Sequence, residues 1–332
     1  DVSGYSSSEE VQNISEFNSA KELAVTNSRV DGLEARFNDF EAGGFSETTT
    51  ASFSADAVIG AIDGDTTTEA TVFEYQFNIG LSTSFTGEDS LDIAIDSGSD
   101  SAATATNPMA FDTGASLSVD GVTYSFPVGG TSMVVGNDTD ISASFTGACS
   151  YSAFTDYMGD CGTGNSIGKG GNGVTATGSY AFDSGFSVAA GLSSKSDAST
   201  GILTKEGTDS YGIEAAYTAD SYGLAVAYVS DDNAGSAETT TWGINGTYSF
   251  DLASLSAGYE TQETSGTDSS GYFVGLTFPE VGPGSVSVGA ATKGNFADGD
   301  TELMIYEASY AYTVNDSLTI TPGVFIQETA AG

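Results

Sequence analysis

Histidine is absent from the sequence, whereas aspartate and glutamate together number 46 and cysteine occurs twice. Without histidine the chain lacks the usual general base of nucleophilic catalysis and the commonest metal ligand. Acidic pairs suited to acid–base catalysis are frequent, but a chain so rich in carboxylates contains such neighbours by chance. No glycine-rich phosphate loop opens a helix. The sequence therefore predicts no enzymatic activity and no cofactor, and it leaves metal binding open.

The two cysteines, Cys149 and Cys161, stand twelve residues apart inside residues 137–172, the longest stretch without strand-like alternation. No leader precedes Asp1, so we expect the mature form of an exported protein, and export favours a disulfide. The chain-entropy relation gives such a bond about 3 kcal/mol. The alternative, a two-cysteine metal site, lacks further Cys or His ligands. The pair therefore predicts a disulfide.

From residue 46 onward, apolar residues alternate with polar or small ones, which is the period of a β-strand. In residues 71–86, one face carries Phe73 and Tyr75 while the other carries Glu74. Segments of this kind begin near residues 48, 69, 90, 116, 131, 173, 185, 208, 222, 239, 253, 270, 284, 302 and 317. Most have the length of a tilted bilayer crossing, about 9 to 11 residues, and short connections alternate with long ones. The pattern predicts an all-β fold, an antiparallel transmembrane β-barrel over residues 46–332. The alternative is a secreted β-sandwich binding module.

The number of these segments, fifteen, is odd, whereas single-chain bacterial barrels usually have even strand numbers. The chain ends in Thr329, Ala330, Ala331 and Gly332, a loop-like sequence. We therefore expect 16 strands in the intact protein, with a closing C-terminal strand missing from this chain.

Charge is strongly one-sided, since 46 acidic residues face 7 basic ones and the formal net charge is −39. Nucleic acid is therefore excluded as a partner on electrostatic grounds. Residues 46–332 contain no arginine and only four lysines. The acidic pairs Asp138 with Asp140 and Asp298 with Asp300 are candidates for weak divalent-cation binding on external loops.

Strand parity places a further set of carboxylates opposite the aromatic residues, on the face that would line the lumen. These are Glu74, Asp92, Asp96, Glu214, Glu260 and Glu307. A carboxylate-lined pore favours cations. Lys169 and Lys195 are the candidate basic residues of the pore and would oppose that preference.

Residues 1–45 follow a helical period instead. One heptad seam contains Leu23, Thr26, Val30, Leu33, Phe37 and Phe40. Arg29 and Arg36 fall at g positions, and Glu34 and Glu41 fall at the e positions that follow, a pairing that favours parallel helices from different protomers. We therefore predict a short coiled coil. The alternative is a lone amphipathic helix packed on the barrel.

Residues 29–36 read RVDGLEAR and residues 45–50 read FSETTT. This junction resembles that of the cyanobacterial outer-membrane porins, and SFTG at 84–87 with Asp89 and YSFPVG at 124–129 match the same family. The resemblance implies a homotrimer of 16-stranded barrels in the outer membrane, with residues 1–45 in the periplasm. That family usually carries an S-layer-homology domain that binds a peptidoglycan-linked polymer. Residues 1–22 are too short for it, so peptidoglycan anchoring is not implied.

The function implied by this resemblance is passive diffusion of small hydrophilic solutes and inorganic ions, with a preference for cations. General porins fold the loop after the fifth strand into the pore, so residues 137–172 are interpreted as a constriction. The alternative interpretation is a capped external loop. A rival function is a structural or adhesive surface barrel with a plugged lumen.

Overall fold

The computed structural model describes residues 29–30, 48–64, 70–99, 111, 113–171, 173–194, 203–204, 207–233 and 237–329. The chain divides into two units, residues 1–50 and 51–332. In the first unit, Arg29 and Val30 are helical and exposed. The other predicted seam residues, Leu23, Thr26, Leu33, Phe37 and Phe40, lie outside the described residues. The coiled coil and the boundary at residue 45 therefore stay predictions.

The second unit is built of β-strands, as the alternation predicts. The described strands are β1 Thr49–Ile62, β2 Ala70–Thr83, β3 Ser90–Gly98, β4 Ser118–Val128, β5 Thr131–Thr139, β6 Gly173–Ala181, β7 Phe186–Ser194, β8 Asp209–Thr218, β9 Tyr222–Asp232, β10 Thr239–Ser249, β11 Ser254–Thr264, β12 Thr267–Val281, β13 Gly284–Thr292, β14 Phe296–Ala297, β15 Met304–Asn315, β16 Leu318–Ile320 and β17 Gly323–Gln327. Every predicted strand start lies within three residues of an observed one. The two further strands are the short β14 and β17, which follows β16 after Pro322.

The strands pair antiparallel with their neighbours in sequence from β2 to β13, and β1 pairs with β2. Strand β15 then pairs with β13 on one side and with both β16 and β17 on the other, so β16 and β17 together form one interrupted strand. Among the described pairings, none joins β17 to β1. The predicted sixteenth strand stays a prediction.

The outward face of the sheet carries aromatic side chains at two levels. Near the short turns, the Phe186 and Tyr217 rings lie 4.6 Å apart and those of Tyr217 and Tyr222 lie 5.7 Å apart. At the other level, the rings of Tyr228 and Trp242 are 4.7 Å apart. Exposed aliphatic side chains occupy the strands between these levels. An apolar band bounded by two aromatic girdles is the outer surface of a membrane barrel. The helices in the described residues are all too short or too polar to cross a bilayer.

The short turn between β2 and β3 is closed by the carboxylate of Asp89. It accepts hydrogen bonds from the Tyr124 hydroxyl at 2.6 Å and from the backbone N–H groups of Phe85 and Thr86 at 2.9 and 2.8 Å. These bonds, with that from Tyr124 contributing most, hold the pKa of Asp89 well below its usual range. The SFTG motif is thus a turn whose donors converge on one acid.

Residues 140–171, the inner segment, lie on the inward face of the sheet. Two short 3-10 helices, Ile141–Ser144 and Asp156–Gly162, contact β5–β8 and β11–β13 respectively. Because one short segment touches so many strands from the same side, that face of the sheet is concave. Buried apolar residues cluster here, with Tyr151, Met158 and Cys161 of the segment packed against strand residues that include Phe273 and Ile305. The main core of the second unit therefore lies between the inner segment and the strands.

Candidate functional site

Glu307 of β15 binds the middle of the inner segment through four hydrogen bonds. Its carboxylate accepts from the backbone N–H groups of Phe154 and Thr155 at 2.8 Å, from the Thr155 hydroxyl at 2.7 Å and from the Tyr151 hydroxyl at 3.0 Å. Burial, together with the charge of Glu307, raises the pKa of Tyr151 well above its usual range. The phenol therefore stays neutral and remains a donor.

Glu260 of β11 holds the segment further along and is fully buried. It accepts from the Asn165 backbone N–H at 3.0 Å, the Asn165 side-chain amide at 2.8 Å and the Ser166 hydroxyl at 2.7 Å. A fourth bond comes from the amide of Asn295, after β13, at 3.0 Å. Four donors satisfy the lone pairs that a buried carboxylate must have occupied.

Two more strands hold the start of the segment in the same way. Glu214 of β8 accepts from the Thr146 backbone N–H at 2.5 Å, and the Asn245 side-chain oxygen of β10 accepts from Ala148 at 2.9 Å. The Asn245 amide nitrogen also donates to the Asp160 carbonyl at 3.3 Å and the Thr163 hydroxyl at 3.0 Å. These side chains supply the partners that an irregular backbone needs when it is enclosed by strands.

Lys169, near the end of the inner segment, forms a buried ion pair with Asp231 of β9. Its ammonium nitrogen lies 2.6 Å from an Asp231 carboxylate oxygen, and both side chains are buried. The hydroxyl of Ser210 donates to the other oxygen of Asp231. The charge of Lys169 is therefore neutralised where the segment meets the wall. Lys195, the other predicted basic residue, lies outside the described residues.

Inward-facing glycines let the segment lie directly against the strand backbones. A Cβ added at Gly258 would stand 2.0 Å from the Cys161 carbonyl oxygen, and one at Gly275 would stand 2.5 Å from the Tyr151 ring. A Cβ at Gly323 would meet the Phe154 ring at 2.7 Å. Any larger residue here would displace the segment, which explains why these strands are so rich in glycine.

The predicted disulfide is present within the inner segment. Cys149 and Cys161 are bonded, with their Cα atoms 5.8 Å apart. Cys161 is fully buried beside Tyr151 and Met158, and Cys149 packs against the same cluster. The bond therefore closes a loop in the same part of the inner segment that Glu307 and Asn245, both on strands, hold by hydrogen bonds.

Strands β1–β4 form a wall with a different character. In the described residues, no hydrogen bond joins the inner segment to these strands. Asp92 and Asp96 of β3 are half-exposed, and Asp56 of β1 is exposed and accepts from the Gln76 amide at 3.0 Å. Glu74, in the first half of β2, is buried and accepts a hydrogen bond from Ser99. Most carboxylates on this wall thus face open space.

The inner segment presents acids of its own on its exposed side, at Asp156 and Asp160. Partial burial, and then the charges of Asp156 and Asp140, raise the pKa of Asp160. Lys293 has its ammonium 5.9 Å from the centre of the Tyr157 ring. The described residues hold no group of three or more His, Cys, Asp or Glu suited to a metal ion.

The six acids predicted from strand parity thus fall into two groups. Glu214, Glu260 and Glu307 bind the inner segment, whereas Asp92, Asp96 and Glu74 do not; of these three, Asp92 and Asp96 are half-exposed and Glu74 is buried within β2. Sequence reasoning missed Asn245 and Asp231 as further anchors. An available signal was their parity, because both stand on the inward face one or two strands from a predicted acid.

The comparisons with known proteins concern most of the second unit. A family model described as Gram-negative porin matches residues 53–325. Among solved structures, Pseudomonas putida OprB superposes with a TM-score of 0.65 at 13% identity, covering 84% of this chain and 89% of that one. A loop-deletion mutant of OmpT, an outer membrane protein of Vibrio cholerae, gives 0.58 at 11% identity, with 85% and 94% covered. A variant of the Rh. blastica porin gives 0.51 at 15% identity, with 83% and 94% covered. No curated protein matches the sequence. At these identities the structures show a shared fold, the antiparallel β-barrel.

Proposed function

The chain belongs to the Gram-negative porin family, and from this premise we propose that it forms an outer-membrane channel through which small hydrophilic solutes and inorganic ions diffuse, with a preference for cations. The observation that carries the preference is the distribution of charge between the wall and the inner segment. Exposed carboxylates stand on both, and the described lysines beside the segment are engaged, Lys169 by Asp231 and Lys293 by the Tyr157 ring.

The passage is assigned to the side of the lumen that the inner segment leaves uncovered. The segment is bonded to β6, β8, β9, β10, β11 and β15, so we place the path along the wall of β1–β4. A permeating ion would then pass Asp92 and Asp96 on the wall and Asp156 and Asp160 on the segment. In a narrow passage each of these charges lies within a screening length of the ion, about 8 Å at physiological ionic strength.

The test is the reversal potential of the purified protein in a planar bilayer across a salt gradient. We expect a cation-selective sign, and we expect the double variant Asp92→Asn, Asp96→Asn to move the potential toward zero because it removes the half-exposed wall charges. The matched control is Asp298→Asn, Asp300→Asn, which makes the same change in net charge between β14 and β15 and should leave the potential near that of the parent. Anion selectivity in the parent would overturn the proposed preference, and an absence of conductance steps would favour the plugged surface barrel.

We also propose that the intact protein is a homotrimer of the cyanobacterial type, with residues 1–45 as a periplasmic coiled coil. Support comes from the heptad seam, the charge pairing at g and e positions and the junction motif at residues 29–36. Gentle extraction followed by mass measurement should give three chains per particle, and removal of residues 1–45 should weaken the assembly. A monomeric particle from the full chain would contradict the proposal.

A further inference from the structure

Three oxygen-bearing side chains form a row across the ends of β7, β8 and β9. Ser194 stands directly opposite Asp209, and Asp209 stands directly opposite Asp232. Opposed residues on antiparallel strands project from the same face, with Cβ atoms about 5 Å apart. The face is the outward one, because Asp209 shares its parity with the exposed Tyr211 and Ile213. The row is therefore separate from the lumen and from the inner segment.

Burial makes this row unlike the rest of the outward face. Tyr211 and Ile213 are 41% and 57% exposed, whereas Asp209 is 2% exposed and Ser194 is fully buried. The Oδ1 atom of Asp209 and the hydroxyl of Ser194 are both enclosed, and neither has a hydrogen-bond partner. A buried carboxylate oxygen without a partner loses its hydration and gains no hydrogen bond in exchange, so this arrangement is unfavourable by itself. Two such atoms on opposed residues point to a ligand between them.

Charge indicates the sign of that ligand. Asp209 and Asp232 are like charges placed directly opposite each other, an arrangement that is destabilising by itself. The described lysine nearest in the fold, Lys169, is paired with Asp231, whose side chain projects from the inward face. In the part of the chain that the structure describes, no basic group pairs with the row. A cation would satisfy the unpartnered oxygens and offset the repulsion together.

We propose that Ser194, Asp209 and Asp232 form a binding site for a hard divalent cation, with Ca²⁺ as the best fit. Ca²⁺ prefers carboxylate, hydroxyl and water oxygens in an irregular shell of about 6 to 8 ligands, and it tolerates a site in which the protein provides only some of them. Without Cys or His, the row does not suit Zn²⁺. The site stands at the strand ends joined by the longer connections, residues 195–208 and 233–238, and its third ligand, Asp232, is exposed.

The test is titration of the metal-stripped full chain in detergent with Tb³⁺, a luminescent substitute for Ca²⁺. Excitation of tyrosine reports binding here because Tyr211 lies two residues from Asp209 on the same face. We expect one saturating phase that Ca²⁺ displaces, above the weak background from other acids. Asp209→Asn should weaken that phase by about tenfold or more, since it removes one of two charged ligands, and Ser194→Ala should weaken it less.

Asp232→Asn provides a second test in case the buried substitution impairs folding, because Asp232 is exposed. It should also weaken the saturating phase, whereas the matched control Asp268→Asn, at an exposed residue of β12, should not. Folding of each variant is checked by the mobility shift on heating in detergent. The proposal is overturned if folded Asp232→Asn binds Tb³⁺ as the parent does, or if the parent shows only the weak background. Neither result depends on the selectivity of the channel.

Discussion

Strands β8, β11 and β15 carry glutamates with the same inward parity as the acids of β3, yet the two groups are placed in opposite environments. Glu260 and Glu307 each accept four hydrogen bonds and are buried beneath the inner segment. In the part of the chain that the structure describes, no hydrogen bond joins Asp92 or Asp96 to that segment, and both are half-exposed. The difference teaches that an inward acid is accessible to the lumen only where nothing is packed over it; elsewhere it holds the inner segment in place.

Removing the anchoring carboxylates should have the largest effect on this comparison. The double variant Glu260→Ala, Glu307→Ala leaves seven donor groups of the inner segment without their acceptors. Three of them bind Glu260 and four bind Glu307. The Asn295 amide, outside the segment, also loses its bond to Glu260. We expect the segment to detach, with a loss of about 3 kcal/mol or more in its attachment and a several-fold rise in single-channel conductance. The measurement is conductance at fixed salt, with thermal unfolding in detergent alongside.

Asp92→Asn, Asp96→Asn is the matched control, since it also removes two inward acids. It should leave conductance steps near their parental size and thermal unfolding unchanged, while altering selectivity. If the two double variants changed conductance alike, the division of the inward acids into anchors and lumen charges would be wrong.

The buried ion pair gives the next largest effect. Lys169→Met would leave Asp231 charged, buried and supported by Ser210 alone, and loss of one partner of a buried pair costs about 3 to 5 kcal/mol. We expect a lower unfolding temperature and a noisier open channel, because the end of the inner segment loses its attachment to β9.

The double variant Lys169→Met, Asp231→Leu removes both charges and should recover most of the stability, because an apolar pair can replace a buried ion pair. A double variant less stable than Lys169→Met would instead mean that Asp231 has a role apart from Lys169. Thermal unfolding of the parent, Lys169→Met, Asp231→Leu and the double variant completes the double-mutant cycle.

The disulfide should matter less to the channel than its position suggests. Replacing both Cys149 and Cys161 with serine removes a constraint on a twelve-residue loop, worth about 3 kcal/mol on the chain-entropy relation. However, Glu307 and Asn245 hold the same part of the segment from the strands. We expect lower thermal stability with conductance close to that of the parent. A large conductance change would show that the carboxylates alone do not position the segment.

The strands could be predicted because alternation is a local signal, and each predicted start lies within three residues of an observed one. The disulfide was also predictable, since an exported chain with two cysteines in one loop leaves few alternatives. The division of the inward acids into those that bind the inner segment and those that stay half-exposed could not be predicted. Parity reveals which face Glu260 occupies, but not that Asn165 and Ser166, about 95 residues earlier, lie over it. That contact depends on how the whole sheet curves around the segment.

The inward glycines show the same limit. In the sequence, Gly258 and Gly275 appear as weak strand formers, since glycine loses much conformational freedom and packs no side chain. The need for glycine at these two positions is seen only with the inner segment in place, because the Cys161 carbonyl and the Tyr151 ring occupy the volume that a Cβ atom would fill.

The smallest expected effect concerns Asp160, on the exposed side of the inner segment. Burial and the neighbouring charges of Asp156 and Asp140 raise its pKa, so this acid binds a proton at a higher pH than ordinary carboxylates do. As the pH falls from neutral, Asp160 should therefore bind a proton before an ordinary carboxylate does, so cation selectivity should show a first, early decline ahead of the decline that ordinary carboxylates cause at lower pH. Because only one of several charges is lost, the change in reversal potential should be small.

Asp160→Asn should abolish this early decline and leave the later one, whereas Asp156→Asn should move the early decline to lower pH, because one of the charges that raises the pKa of Asp160 is gone. Reversal potentials of the three proteins across a pH series, at one salt gradient, provide the measurement. If Asp160→Asn follows the parental curve at every pH, Asp160 does not face the permeating ions, and the passage lies entirely along the wall of β1–β4.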